Sequence, residues 1–130
     1  MPHDILTLTR FAQDYVAAWS SHSPEAVASF FADDGQIQIN RGDVQKGRAA
    51  LLEMAAGFYA AYPDLTVYCE DIRIAGDHAV LVWSFDGHHS DNGKYVKVLG
   101  WEEWEFNAEG KVQASLGWYD SDSEAAQIGV

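Results

Sequence analysis

The spacing of hydrophobic residues changes period once along this chain, and the change divides it into two kinds of structure. Leu8, Phe11, Tyr15 and Trp19 recur three or four residues apart, with Ile5, Ala12 and Val16 widening the stripe, which predicts a helix with one buried face. Asp4 stands where a helix cap belongs, and Ser20-Ser21-His22-Ser23 ends the pattern. Ser23-Pro24-Glu25 predicts a restart: a capping hydroxyl, a proline in the first turn and a carboxylate near the positive helix end. The short second helix would turn Val27, Phe30 and Phe31 inward and stop at Asp33-Asp34-Gly35. Gln36 to Asn40 alternates weakly, with Ile37 and Ile39 on one side, and reads as an edge strand before a turn at Arg41-Gly42-Asp43. A third helix is predicted from about Gly47 to Ala61, with Leu51, Met54, Ala55, Phe58 and Tyr62 on one stripe. Pro63 ends it, because proline cannot continue the hydrogen-bond ladder.

From Leu65 the period is two. Strands are predicted over 65–74, 78–88, 94–106 and 111–119, joined by turns at Gly76-Asp77, Asp91-Asn92-Gly93 and Glu109-Gly110. Connections this short make an antiparallel meander. The residues after Asp120 are polar and are expected to form a mobile tail over 121–130. Helices followed by a meander define one α+β domain over 1–130: a curved antiparallel sheet, wrapped as a cone over three N-terminal helices. The mouth of such a cone is a natural ligand site. Trp83, Phe85, Trp101, Trp104, Trp118 and Tyr119 fall on both faces of the strands. One set can line the cone; the other leaves an apolar outer face that favours a homodimer.

Composition narrows the partners. Hydrophobic residues make up 48% of the chain and aromatics 13%, enough for a real core, so disorder is not expected. Lys and Arg number 8 against 20 Asp and Glu, a formal charge of −12. Such a surface repels phosphate backbones and anionic membranes, so neither nucleic acid nor membrane is expected as a partner. A small apolar ligand or a second copy of the chain is. Cys69, the single cysteine, cannot form an intrachain disulfide and reads as a buried, inert thiol in an alternating strand. No window approaches the roughly 18 apolar residues of a membrane span. Met1-Pro2-His3-Asp4 carries no basic start and no apolar run, so a cytoplasmic protein is expected.

Candidate chemistry is sparse. Glu102 lies in Trp101-Glu102-Glu103-Trp104-Glu105, where alternation puts Glu102, Trp104 and Phe106 on one face. A glutamate sharing a face with two aromatics would be desolvated, which raises its pKa and lets it donate a hydrogen bond or exchange a proton; otherwise it is one more solvated glutamate. Tyr15 would either aim its hydroxyl at a ligand carbonyl or simply continue the core stripe. His88 shares a strand face with Asp86, a pair that could move protons or sit on a surface hairpin. Asp120, at the end of the last strand, is a further acidic candidate. Asp71 and Arg73 alternate onto one face, as a water-activating set or a plain ion pair, while His22 and His78 read as solvated turn residues. No cluster has metal-ligand spacing, so no metal is expected.

Four segments carry a resemblance: Tyr15-Val16-Ala17-Ala18, Phe31-Ala32-Asp33-Asp34-Gly35, Lys46-Gly47-Arg48 and Phe106-Asn107-Ala108-Glu109-Gly110-Lys111-Val112. Their order and spacing resemble the nuclear transport factor 2-like superfamily, cone-shaped α+β barrels that include ketosteroid isomerases and SnoaL-like polyketide cyclases. The resemblance implies a cofactor-free enzyme moving protons on an apolar carbonyl compound, by isomerisation or cyclisation, or a non-catalytic ligand-binding or interaction domain on the same scaffold. Ketosteroid isomerase uses an Asp base with an oxyanion hole made of a Tyr and a protonated Asp. Tyr15 matches that tyrosine and Glu102 falls where the protonated acid would sit. Ile39 occupies the position of the base, and isoleucine cannot take a proton. Catalytic candidates are therefore Tyr15, Glu102, Asp120 and His88, with Trp19, Ile39, Phe58, Trp104 and Tyr119 expected to line the pocket.

Overall fold

The structure, a computed structural model, describes residues 4–129. Helix α1 (Ile5–Ser20) begins where the Asp4 carboxylate accepts from the Thr7 backbone N–H at 2.9 Å, and it buries Leu8, Ala12, Tyr15 and Trp19 on the predicted stripe. Helix α2 (Pro24–Ala28) starts on the Ser23 cap with proline in its first turn. Helix α3 (Arg48–Ala61) buries Leu51, Met54 and Ala55. The strands are β1 (Phe31–Ile39), β2 (Gln45–Lys46), β3 (Thr66–Ala75), β4 (His78–His88), β5 (Tyr95–Phe106) and β6 (Val112–Tyr119). A last helix, α4, covers Ser121–Ile128.

The six strands form one open sheet in the order β2-β1-β6-β5-β4-β3. Its inner face carries Leu81, Phe85, Val96, Val98, Trp104 and Val112, which pack with the inward sides of α1, α2 and α3 as one core. This is the expected α+β cone with a meander from β3 to β6. No helix among the described residues is long and apolar enough to cross a membrane.

Three expectations need correction. The sheet is mixed, because β1 runs parallel to β6, and β1 lies inside the sheet between β6 and β2. The second helix also stops earlier than expected. Phe31 pairs with Val112 as the first residue of β1, and Asp33 and Asp34 sit in a bulge of that strand. Gly35 makes the bulge possible, since a Cβ there would meet the Val112 carbonyl oxygen at 2.8 Å.

The third correction concerns the expected mobile tail, which is helical from Ser121 to Ile128. Asp120 caps it by accepting from Ser123 N–H at 2.9 Å. The Gln127 amide then bonds both the N–H and the carbonyl of Lys97 on β5, and the Asn92 side chain donates to the Ile128 carbonyl. No residue of α4 is fully buried, and polar bonds to a distant strand hold it together with Ile128, which packs half-buried against the core. Val130, like Met1 to His3, lies outside the described residues.

Candidate active site

Alternation along β5 delivers Glu102 to the inner face, and the side chain is only 6% exposed. Three donors converge on one of its oxygens. The Tyr15 hydroxyl on α1 donates to Oε1 at 2.9 Å, the Ser115 hydroxyl on β6 at 2.8 Å and the Trp104 indole N–H at 3.3 Å. Oε2 receives no protein donor. The only fully buried unpartnered side-chain polar atom among the described residues is Trp83 Nε1, so Oε2 reaches open space. That space is a cavity of about 50 Å³ bounded by Tyr15, Trp19, Ile37, Ile39, Phe58, Leu81, Trp83, Phe85, Gly117 and Tyr119 around Glu102.

Two physical effects oppose each other at Glu102. Burial penalises the charged carboxylate and raises the pKa above its ordinary value, and this is the larger effect. The donors from Ser115, Tyr15 and Trp104 favour the charged form and pull the pKa back. The proton of the neutral acid belongs on Oε2, because Oε1 is already saturated with donors. Tyr15 is held in its phenol form, its pKa pushed well up first by burial and then by the neighbouring Glu102.

Neighbouring geometry keeps the wall apolar and fixed. Gly100, opposite Trp83 in the β4–β5 pairing, has no Cβ, and one there would lie 2.5 Å from the indole ring. The ring therefore lies over β5 as part of the wall. The side chain of Asn40, a residue with a φ of 52°, accepts from the Tyr119 backbone N–H at 2.8 Å and pins the strand end that carries Tyr119. Phe58 meets Trp19 and Tyr119 edge to face, with ring centroids 5.7 and 6.3 Å apart.

The other sequence candidates divide sharply. Trp19, Ile39, Phe58 and Tyr119 line the cavity as expected. Trp104 does not: it is fully buried beneath Glu102, packed on Phe11, Tyr15 and Phe106. His88 is on the outer sheet face, and its ring nitrogen pairs at 2.6 Å with Asp64, whereas Asp86 accepts from Tyr68 and Tyr95. The shared strand face therefore does not make an Asp86–His88 pair, because Asp64 in the loop after α3 reaches His88 first. Asp120 is exposed and occupied in capping α4. Neither His88 nor Asp120 touches the cavity.

Asp71 and Arg73 form an exposed ion pair at 2.9 Å, and Cys69 is half-buried with its thiol pKa raised by burial. His22, expected to be solvated, bonds the Leu65 carbonyl at 2.8 Å and stacks on Tyr59. No group of acidic, His or Cys side chains among the described residues has the arrangement of a metal site. Ser115, the third partner of Glu102, is not among the candidates drawn from the sequence. The signal was available in the register, because Ser115 lies opposite Trp104, beside the Glu102–Gly117 pair.

An open curled sheet over helices, with one buried carboxyl at the end of a narrow apolar hollow, is the fold of the nuclear transport factor 2-like superfamily. Residues 12–114 match the model of the SnoaL-like domain, and the chain belongs to that family. Solved structures of the same fold include a hypothetical protein with a ketosteroid isomerase-like fold from Catenulispora acidiphila, in complex with trimethylamine. It is 23% identical, with a TM-score of 0.84 and 92% of each chain covered. SalBIII, an epoxide hydrolase/cyclase-like enzyme in pyran ring formation in the polyether salinomycin, is 17% identical with a TM-score of 0.81, over 93% of this chain and 96% of that one. TsrD from Streptomyces laurentii is 16% identical with a TM-score of 0.83, over 97% of both chains. Among curated proteins, no sequence matches.

The raised Glu102 pKa has a consequence for stability. The folded state holds this proton more tightly than the unfolded chain, so the contribution is full below the unfolded pKa and is lost as pH rises through the folded one. Glu102→Gln, which keeps an acceptor for Tyr15 and Ser115, is therefore expected to be more stable than the native protein at pH 8. The gain should shrink toward pH 4. Urea unfolding at both values checks this, and an equal difference at the two would show that Glu102 is not burdened by burial.

Proposed function

We propose that this protein is an acid/base enzyme of the isomerase or cyclase type, acting without a cofactor on an apolar carbonyl compound, with Glu102 as its catalytic residue. One observation carries the reading: a buried carboxyl has one oxygen saturated by three donors and the other free toward the cavity. In its neutral form Oε2–H donates to the substrate carbonyl as a bond forms at the carbonyl carbon. The nucleophile belongs to the substrate, for example its own enol. The carbonyl oxygen keeps the proton, the enol O–H surrenders one to Glu102 Oε2, and the carboxyl returns to its starting state with no atoms gained or lost. Ring closure of this kind needs no second protein base, which suits a cavity where Ile39 fills the corresponding wall.

Tyr15 takes a different part from the one the resemblance implies. Its proton points at Glu102 rather than at open space, so it acts as a positioning residue that sets the acidity of the carboxyl. Ser115 and Trp104 share that task. A second reading, a ligand-binding domain without chemistry, is favoured by the same Ile39 and by the otherwise apolar wall.

The test is binding of 2,4-dinitrophenolate, an oxyanion that stays charged over the range examined. Its affinity should fall as pH rises and Glu102 loses its proton, whereas Glu102→Gln should show a flat profile. His88→Gln and Asp120→Asn should behave like native protein. Matching profiles for native protein and Glu102→Gln would remove Glu102 as a proton donor.

Two copies pair through the outer sheet face in this proposal. Leu99, Trp101, Leu116 and Trp118 are exposed there on β5 and β6, Leu99 at 62%, and Trp101 and Trp118 are cross-strand partners. No helix among the described residues covers them, and such a patch is costly to leave in water. Leu99→Glu combined with Trp118→Glu is expected to convert a dimer to a monomer in analytical ultracentrifugation. A native protein that sediments as a monomer at concentrations of about 100 μM, weaker than specific interfaces usually are, would contradict the pairing.

A further inference from the structure

The inner cavity is too small for the ligand its chemistry suggests. An apolar cavity that holds benzene measures about 150 Å³, and the hollow beside Glu102 measures about 50 Å³. A ring can enter only if part of the wall moves. Most of the wall comes from strand interiors or from buried positions on α1, but three residues are placed differently: Phe58 is on α3, and Ile39 and Tyr119 are the last residues of β1 and β6. Ile39, Phe58 and Tyr119 are each half-buried, and each also borders a second, more open cavity of about 440 Å³. The two spaces are thus separated by these three side chains alone among the residues they share.

The outer cavity has a different character. Met54, Gly57 and Ala61 of α3 line it, and Glu53, Gln45 and Glu124 add hydrogen-bond acceptors to that lining. Glu124 is delivered by α4, and it accepts from the buried Tyr62 hydroxyl at 2.5 Å. Neither Glu53 nor Glu124 has a Lys, Arg or His partner within ion-pair distance among the described residues. The walls of this space therefore offer acceptors and negative charge, and no cation to receive an anion.

We propose that Ile39, Phe58 and Tyr119 form a movable partition between the two cavities, and that the ligand is bipartite. A compact ring or carbonyl end enters the inner cavity at Glu102, and a hydrogen-bond-donating, non-anionic end remains in the outer cavity near Glu53 and Glu124. This rests on the Glu102 reading and extends it to substrate class. Phe58 and Tyr119 then set the size of what enters, and α4 helps set the polarity of what stays outside.

Phenols with different para tails test the inference, read by quenching of Trp19 and Trp83 fluorescence. Tyramine and 4-(2-hydroxyethyl)phenol are expected to bind about fivefold more tightly than 4-ethylphenol, equivalent to about 1 kcal/mol, and 4-hydroxyphenylacetate more weakly than any of them. Glu124→Gln and Glu53→Gln should each reduce the tyramine advantage and leave 4-ethylphenol binding unchanged. Phe58→Ala should raise the association rate of 4-ethylphenol about tenfold, since binding that waits on a conformational change is slow. Phe58→Leu provides the same comparison if the alanine variant does not fold.

Equal affinity for all tails, or an unchanged association rate in the Phe58 variants, would overturn the bipartite ligand while the pH-dependent binding of 2,4-dinitrophenolate still upheld Glu102. Failure of every phenol and of the phenolate would overturn both.

Discussion

A carboxyl group taken out of water is the constraint around which the inner face is arranged. Glu102 sits on a strand face that is otherwise apolar, between Trp104 and the pocket, where an unpaired charge would be prohibitively costly. The surroundings answer with three donors from three places: Tyr15 on α1, Ser115 on β6 and Trp104 on the same strand. All three address the same oxygen. The asymmetry matters because it divides one carboxyl into an anchored oxygen and an oxygen left free toward the cavity. It also couples the opening helix to the sheet at the depth where the pocket ends.

That coupling explains how so small a fold can hold a buried carboxyl still. Tyr15 is fixed by ring contacts with Phe30 and Trp104 at 5.5 and 5.1 Å, and Trp104 by Phe11 and Phe106. Aromatic packing on one side and hydrogen bonds on the other leave the carboxyl little freedom to turn. Preorganisation of this sort is what makes a donor effective toward charge that develops during reaction. The outer parts of the pocket are built more loosely, from half-buried side chains and a polar helix, and in the proposed bipartite binding they are where size and polarity would be read.

Much of this was legible in the sequence, for identifiable reasons. The stripe of α1 and the period-two strands carry strong signals because each buries one face, and alternation alone sends Glu102 inward. Phe30 and Phe31 misled because two adjacent aromatics suit a helix stripe as well as a strand start. The choice is made by a distant partner, Val112, which bonds the Phe30 carbonyl and pairs with Phe31. Helix α4 was invisible for the opposite reason: none of its residues is fully buried, and it is held largely by bonds to Lys97 and Asn92 far away in sequence. His88 and Asp120 were plausible by residue type alone, and each is claimed by a neighbour, Asp64 for the first and the α4 cap for the second.

The central claim is that burial keeps the Glu102 proton while Tyr15 weakens that hold. Carbon-13 NMR titration of glutamate side-chain carboxyls measures it directly. Glu102 should titrate above the exposed glutamates, and Tyr15→Phe should move it higher still by removing a bond that favours the charged form. A Glu102 resonance that titrates with the exposed glutamates, or one unmoved by Tyr15→Phe, would contradict the account.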